Sequence, residues 1–265
     1  MIRNQIFLVK SYVSYWFKAK TRFKIHSPFV FDLIETVLKD RDIYPGYKEI
    51  DEYKKQLSKN KSIIETTDFG KGGNDGKPLT SFAELGKLVR MRSQQKKQAR
   101  LLYRISRRFQ PSTILELGTA AGFSASYIKF PVPDGKIITL EGCDSLANIA
   151  RKTFDDLQIQ NVEIRTGDFE NSLPGTLKDL GKLAFVFIDG NHRKNATLKY
   201  FSQCIEWAHE KSLFVFDDIH WSPGMAQAWE IIKNDPRVTL SIDLFWLGLV
   251  FFRKGSPKQD FVIRY

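Results

Sequence analysis

Only two cysteines, Cys143 and Cys204, occur in 265 residues. Their number and spacing exclude a disulfide framework and a thiolate metal site, and a reduced, cytoplasmic setting is expected. Long apolar runs are missing too. The nearest candidate, Leu244–Phe252, is strand-length, against the roughly 20 residues that a bilayer-spanning helix needs. A secretory leader is not expected, because Lys10 interrupts the apolar run Ile6–Val9. No repeat or low-complexity tract is present. What remains is a chain long enough for one large α/β domain with an extension.

Acidic residues are scarce in one part of the chain. The net charge is +11, yet residues 1–110 hold 24 Lys/Arg against 11 Asp/Glu, while residues 111–265 hold 17 against 19. A basic appendage on a near-neutral domain points to an anionic partner or to a solubilising surface. Ile2, Ile6, Val9, Val13 and Trp16 recur at helical spacing, with Arg3, Lys10 and Lys18 mainly off that stripe. Such a helix can lie on a membrane or dock on its own domain, and docking is expected. Ser27-Pro28 opens a second helix to about Lys39, and Tyr47–Lys59 reads as a third. The glycine-rich stretch 66–80 reads as a linker or lid. A phosphate cradle fails there, because Lys71 and Pro78 stand where the Walker pattern needs Gly and Ser/Thr. One long basic helix is expected over 82–109, ended by Pro111.

From residue 112 the chain alternates between two periods. Strands are expected at 112–117, 136–141, 161–166, 183–189 and 212–217, with helices near 122–130, 144–158, 170–180, 193–210 and 222–234. Val238–Asp243 and Phe245–Arg253 read as an antiparallel hairpin. The alternation implies an α/β, Rossmann-like, doubly wound parallel sheet. Two regions follow: a basic helical extension at 1–81 and a main domain at 82–265.

The first strand runs into Thr-Ile-Leu-Glu-Leu-Gly-Thr-Ala-Ala-Gly at 113–122. Glu116 stands where a dinucleotide fingerprint would have its first glycine. The pattern E-x-G-x-x-x-G resembles motif I of the class I S-adenosylmethionine (SAM) methyltransferases. The resemblance covers about residues 85–253 and implies a seven-stranded sheet closed by the hairpin. It also implies a cofactor site at successive strand ends: Glu116, Gly118, Thr119, Ala120 and Gly122; then Glu141 and Gly142, with Glu141 on the ribose; then Gly167, Asp168 and Phe169 around the adenine; and Asp189. Ligands of open α/β sheets bind at such strand ends.

The fourth and fifth strands end in Asp189-Gly190-Asn191-His192 and Asp217-Asp218-Ile219-His220-Trp221. Clustered carboxylates repel unless spaced apart or held by a hard cation. The stretch is similar to the metal-dependent catechol and caffeoyl-CoA type O-methyltransferases, which implies Mg²⁺ or another divalent cation on Asp189, Asp217 and Asp218. Asp218 stands where that family has Asn. His192, where the catechol type has its lysine, is the expected general base, with Asp189 beside it as a catalytic residue. The expected activity is O-methyl transfer to a small hydroxylated metabolite or sugar. A tRNA nucleoside acceptor is the alternative suggested by the basic first part, and a non-catalytic SAM- or nucleotide-binding module is the alternative of another class. A homodimer is compatible with all of these.

Overall fold

The computed structural model describes residues 2–68, 79–255 and 257–265, without the side chains of residues 2 and 3. In chain order it begins with α1 (Ile2–Lys18) and α2 (Pro28–Leu33), which runs on as a π-helical turn over Ile34–Leu38. Next come α3 (Pro45–Leu57), β1 (Ile63–Asp68), β2 (Leu79–Glu84), α4 (Leu85–Arg92) and α5 (Lys96–Phe109). Alternation then sets in: β3 (Thr113–Leu117), α6 (Phe123–Lys129), β4 (Lys136–Glu141), α7 (Asp144–Asp156), β5 (Val162–Thr166), α8 (Phe169–Leu180), β6 (Leu183–Ile188), α9 (Lys194–Cys204) and β7 (Ala208–Asp217). The last elements are α10 (Pro223–Asn234), β8 (Leu240–Asp243), β9 (Leu247–Phe251) and β10 (Gln259–Val262).

The chain forms two compact units, residues 39–180 and residues 1–38 with 181–265. The grouping differs from a division at residue 81, because the first 38 residues pack with the C-terminal strands. In the unit of residues 39–180, β3, β4 and β5 are parallel, with Leu115 opposite Ile138 and Ile138 opposite Glu163. In the other unit the strand order is β10-β8-β9-β7-β6. There β6 and β7 are parallel, β7–β9 and β9–β8 are antiparallel, and β10 is parallel to β8. The α/β class, the mostly parallel strands and the antiparallel closing pair are as expected. The edge strand β10 has no counterpart in the sequence reading.

The central strands form because their residues are apolar on both faces, as helix-covered parallel strands require. Ile114, Leu115 and Leu117 of β3 are buried, as are Ile137, Ile138 and Leu140 of β4 and Leu213–Phe216 of β7. The polar residues that end these strands are therefore what the fold delivers to its rim.

Two expectations fail for local reasons. The basic helix over 82–109 is two helices, with Ser93 and Gln95 both extended (ψ 144° and 150°) between α4 and α5. Met91, near the end of α4, is exposed, while Leu88 of α4 and Leu102 of α5 are buried. The stretch 66–80 is not all loop: β1 and β2 pair antiparallel, Ile63 against Glu84 and Asp68 against Leu79. Residues 69–78, the centre of the expected glycine-rich loop, lie outside the described residues.

Candidate functional site

In the unit of residues 39–180, polar groups collect after β3, β4 and β5. Glu116 is fully buried on β3. Thr139 Oγ1 donates to Glu116 Oε2 at 2.5 Å. Thr119 and Thr139 hydroxyls are 2.6 Å apart; with Thr139's proton on Glu116, Thr119 is the donor of that pair. Burial pushes the Glu116 carboxyl up to about 7, against the lowering effect of hydrogen bonds from Ser124 and Thr139. Its Oε1 is buried with no hydrogen-bond partner among the described residues. A buried carboxylate oxygen left this way is suited to a donor supplied by a ligand.

The turn after β3 needs unusual backbone. Gly118 has φ 107°, Ala120 φ 46° and Gly122 φ 85°. Glycine adopts these values without the clash a Cβ brings. At Gly122 a Cβ would also come within 3.0 Å of the Phe154 ring. The turn is laced to β4, since the Gly118 and Thr119 N–H groups both donate to Leu140 O. Glu141, the last residue of β4, accepts from Ala120 N–H on Oε2 (2.7 Å) and from Cys143 N–H on Oε1 (2.9 Å). Its carboxyl is raised by burial, with the backbone donors and Arg92 opposing. Gly142 is half-buried beside it.

The turn after β5 is tied to the same place, because Gly167 N–H, at φ 114°, donates to Glu141 O. Asp168 caps α8, accepting from Glu170 N–H on Oδ1. Phe169 is half-buried. The structure thus brings the turns after β3, β4 and β5 into one hydrogen-bonded group. The hairpin β1–β2 reaches it too: Thr67 N–H donates to Cys143 Sγ at 3.4 Å, and Arg92 stands 3.9 Å from Asp68.

In the other unit, the ends of β6 and β7 carry the remaining candidates. His192 Nε2 lies 3.6 Å from Asp189 Oδ1, too far for a hydrogen bond. Burial lowers the His192 pKa below its usual value, against the charge of Asp217, which raises it. Asp218 is held at φ 52° and its carboxyl is pushed up to about 7, by burial first and by Asp217 second. Asn191 is also at positive φ (52°), with a buried Oδ1 that has no partner among the described residues. Oxygen donors of the type a hard cation takes are present. Even so, the described residues contain no group of three or more His, Cys, Asp or Glu arranged to hold a metal ion. Asp189, Asp217 and Asp218 therefore do not form the expected chelating set in this conformation, in which two neighbouring aspartates instead repel.

A dyad escaped the sequence reading. His220 Nε2 is 2.7 Å from Asp243 Oδ2, and Phe245 N–H donates to Asp243 Oδ1 at 2.8 Å. In a neutral ring, the tautomer that donates its Nε2–H to Asp243 has Nδ1 as an acceptor. The His220 ring stacks on Phe245 at 5.3 Å and 19°. Phe245 itself sits at φ 74°, a strained conformation for a bulky residue of the kind that clusters at functional sites. His220 was visible as a strand-end histidine. Its partner lies 23 residues away on β8, and only pairing in the sheet finds it.

Residues 115–219 match the family model described as a methyltransferase domain. The match runs from β3 to just past β7. The similar proteins are O-methyltransferases. A curated catechol O-methyltransferase of Niastella koreensis is 31% identical over 125 residues, 46% of this chain and 56% of the relative. A protein-L-isoaspartate O-methyltransferase of Brucella anthropi is 39% identical over 61 residues, 23% of this chain and 27% of the relative. The chain thus spans about half or less of the curated relatives it matches. The structure of an O-methyltransferase from Bacillus cereus, in complex with S-adenosylhomocysteine (SAH), shares the fold with TM-score 0.55 at 18% identity, covering 84% of this chain and 97% of the other.

Proposed function

We propose that the chain is a SAM-dependent O-methyltransferase acting on a hydroxyl of a small molecule. The observation that carries this reading is the buried Glu116, with an unpartnered Oε1, hydrogen-bonded through Thr139 into the group that also holds Glu141. The bound cofactor supplies a sulfonium methyl to an oxygen nucleophile. Glu116 would hold the cofactor's amino end by accepting a donor from it, and Glu141 would hold the ribose hydroxyls with the lone pairs that Ala120 and Cys143 leave open. The positive-φ turn at Gly118 and Gly122 lets the backbone come close to the ligand.

The acceptor hydroxyl must lose a proton as the oxygen–carbon bond forms and the carbon–sulfur bond breaks. His192 is assigned that proton. Its lowered pKa keeps the ring neutral, and so able to accept, at neutral pH. A second reading gives the role to His220, favoured by the 2.7 Å bond that orients it on Asp243. No step is assigned to a metal ion, because the carboxylates are not arranged as a chelating set.

A small acceptor is preferred over a tRNA because much of the basic charge near α5 is used inside the chain. Arg100 pairs with Asp51 at 2.8 Å and covers the Tyr47 ring. Arg104 is buried against the Tyr47 hydroxyl, and Arg107 lies over Tyr44. Titration calorimetry with SAH, followed by transfer of labelled methyl from SAM to a panel of catechols, phenols and sugars, tests the reading. Heat of binding with SAH and none with NAD is expected, with label entering at least one hydroxyl compound. No binding of SAH would remove the function.

A further inference from the structure

One side of α1 docks and another does not. Tyr15 is buried, meets the Phe245 ring at 5.3 Å with a 51° tilt, and its hydroxyl donates to Ile263 O at 2.5 Å; Leu8 packs beside it. The apolar stripe expected to dock is turned away from that contact. Ile6, Val9, Val13 and Trp16 are 47–64% exposed, and Phe17, next to Trp16, is 77% exposed. Phe23, just beyond the helix, is 80% exposed. At 100° per residue the five helical side chains share one arc of about 100°. A continuous aromatic and aliphatic face of this kind marks an interaction surface.

The charge around it indicates the partner. Residues 1–31 contain six Lys/Arg and no Asp or Glu. Lys10, Lys18, Lys20 and Lys24 are exposed, and the Arg264 guanidinium lies over the Trp16 ring at 4.5 Å. Arg22 is spent on Glu35 at 2.9 Å. Trp and Phe on an exposed helical face bordered by lysines is the composition of a helix lying in a lipid interface. A second copy fits less well, since a two-fold contact would set two all-basic borders against each other. No described helix is long and apolar enough to cross a membrane, so the contact would be one of lying on the surface.

We propose that the outward face of α1, with Phe23 and its lysine border, seats the protein on an anionic lipid surface. The contact does not depend on the methyl-transfer reading, and vesicles test it without a methyl acceptor. The full chain is sedimented with sucrose-loaded vesicles of phosphatidylcholine alone or mixed with phosphatidylglycerol, at low and high salt. Binding to the mixed vesicles is expected, at least tenfold weaker with phosphatidylcholine alone. The triple variant Lys18→Gln, Lys20→Gln, Lys24→Gln should bind the mixed vesicles about a hundredfold more weakly. Val13→Ser with Phe17→Ser should weaken binding about tenfold or more, with an unchanged melting temperature because both side chains are exposed. Failure to pellet with mixed vesicles, equal binding to both compositions, or no effect of the serine pair would overturn the proposal. So would a dimer in sedimentation equilibrium that the serine pair dissociates, because that result would give the face to a second copy.

Discussion

Replacing Glu116 with glutamine isolates what a buried carboxyl does to this fold. The side chain keeps its shape and loses its charge. In the folded chain the Glu116 pKa stands at about 7, against 4.5 in the unfolded chain. A raised pKa means that the stability tied to this group is fully present below pH 4.5 and is lost as the pH climbs through 7. With those two values the loss between pH 5 and pH 8 comes to about 2.5 kcal/mol. Glutamine removes this dependence. Any fixed cost, such as a poorer bond to Thr139, offsets the variant equally at every pH and leaves the slope untouched. Asp218 titrates in both proteins and cancels in the difference, whereas Glu141, whose charge adds to the rise at Glu116, contributes a smaller share of it. Urea unfolding of both proteins at pH 5, 6.5 and 8, analysed with a common m-value, gives the comparison. The wild type should lose about 2.5 kcal/mol relative to Glu116→Gln across that range, a shift of roughly 5–10 °C in melting temperature for a chain of this size. Two curves that stay parallel from pH 5 to pH 8 would refute the reasoning, because Glu116 would then be ionised at no cost, its burial compensated by a further donor.

Further expectations follow from the same geometry. Gly118→Val puts a branched side chain at φ 107°, which costs on the order of 1–3 kcal/mol in strain; calorimetry should show SAH binding lost while the protein still unfolds cooperatively, and unchanged affinity would separate the turn from the cofactor. His192→Gln should lower kcat at least a hundredfold, and the wild-type rate should fall on the acid side only below pH 6.5, because the His192 pKa is lowered. If His220→Gln has that effect on kcat instead, and Asp243→Asn lowers kcat with it, the base is the dyad. Exhaustive EDTA treatment should leave methyl transfer intact; a loss restored by Mg²⁺ would show that Asp189, Asp217 and Asp218 converge when ligands bind.

The strand–helix alternation after residue 112 was legible because fully buried parallel strands are written as short apolar runs, and helices as 3.6-residue periods. The rim residues followed, since each run ends in its acid: Glu116, Glu141, Asp189 and Asp217. Periodicity is a local property, however, and two kinds of feature lay outside it. One is pairing at a distance, such as β1 with β2, β10 with β8, or His220 with Asp243, where the partner is chosen by register in a sheet. The other is the direction a face takes. The stripe Ile6, Val9, Val13, Trp16 makes α1 amphipathic by sequence alone. That Tyr15 docks while the stripe faces outward was decided by Phe245 and the carbonyl of Ile263, which offer Tyr15 an aromatic seat and a hydrogen bond that aliphatic side chains could not use.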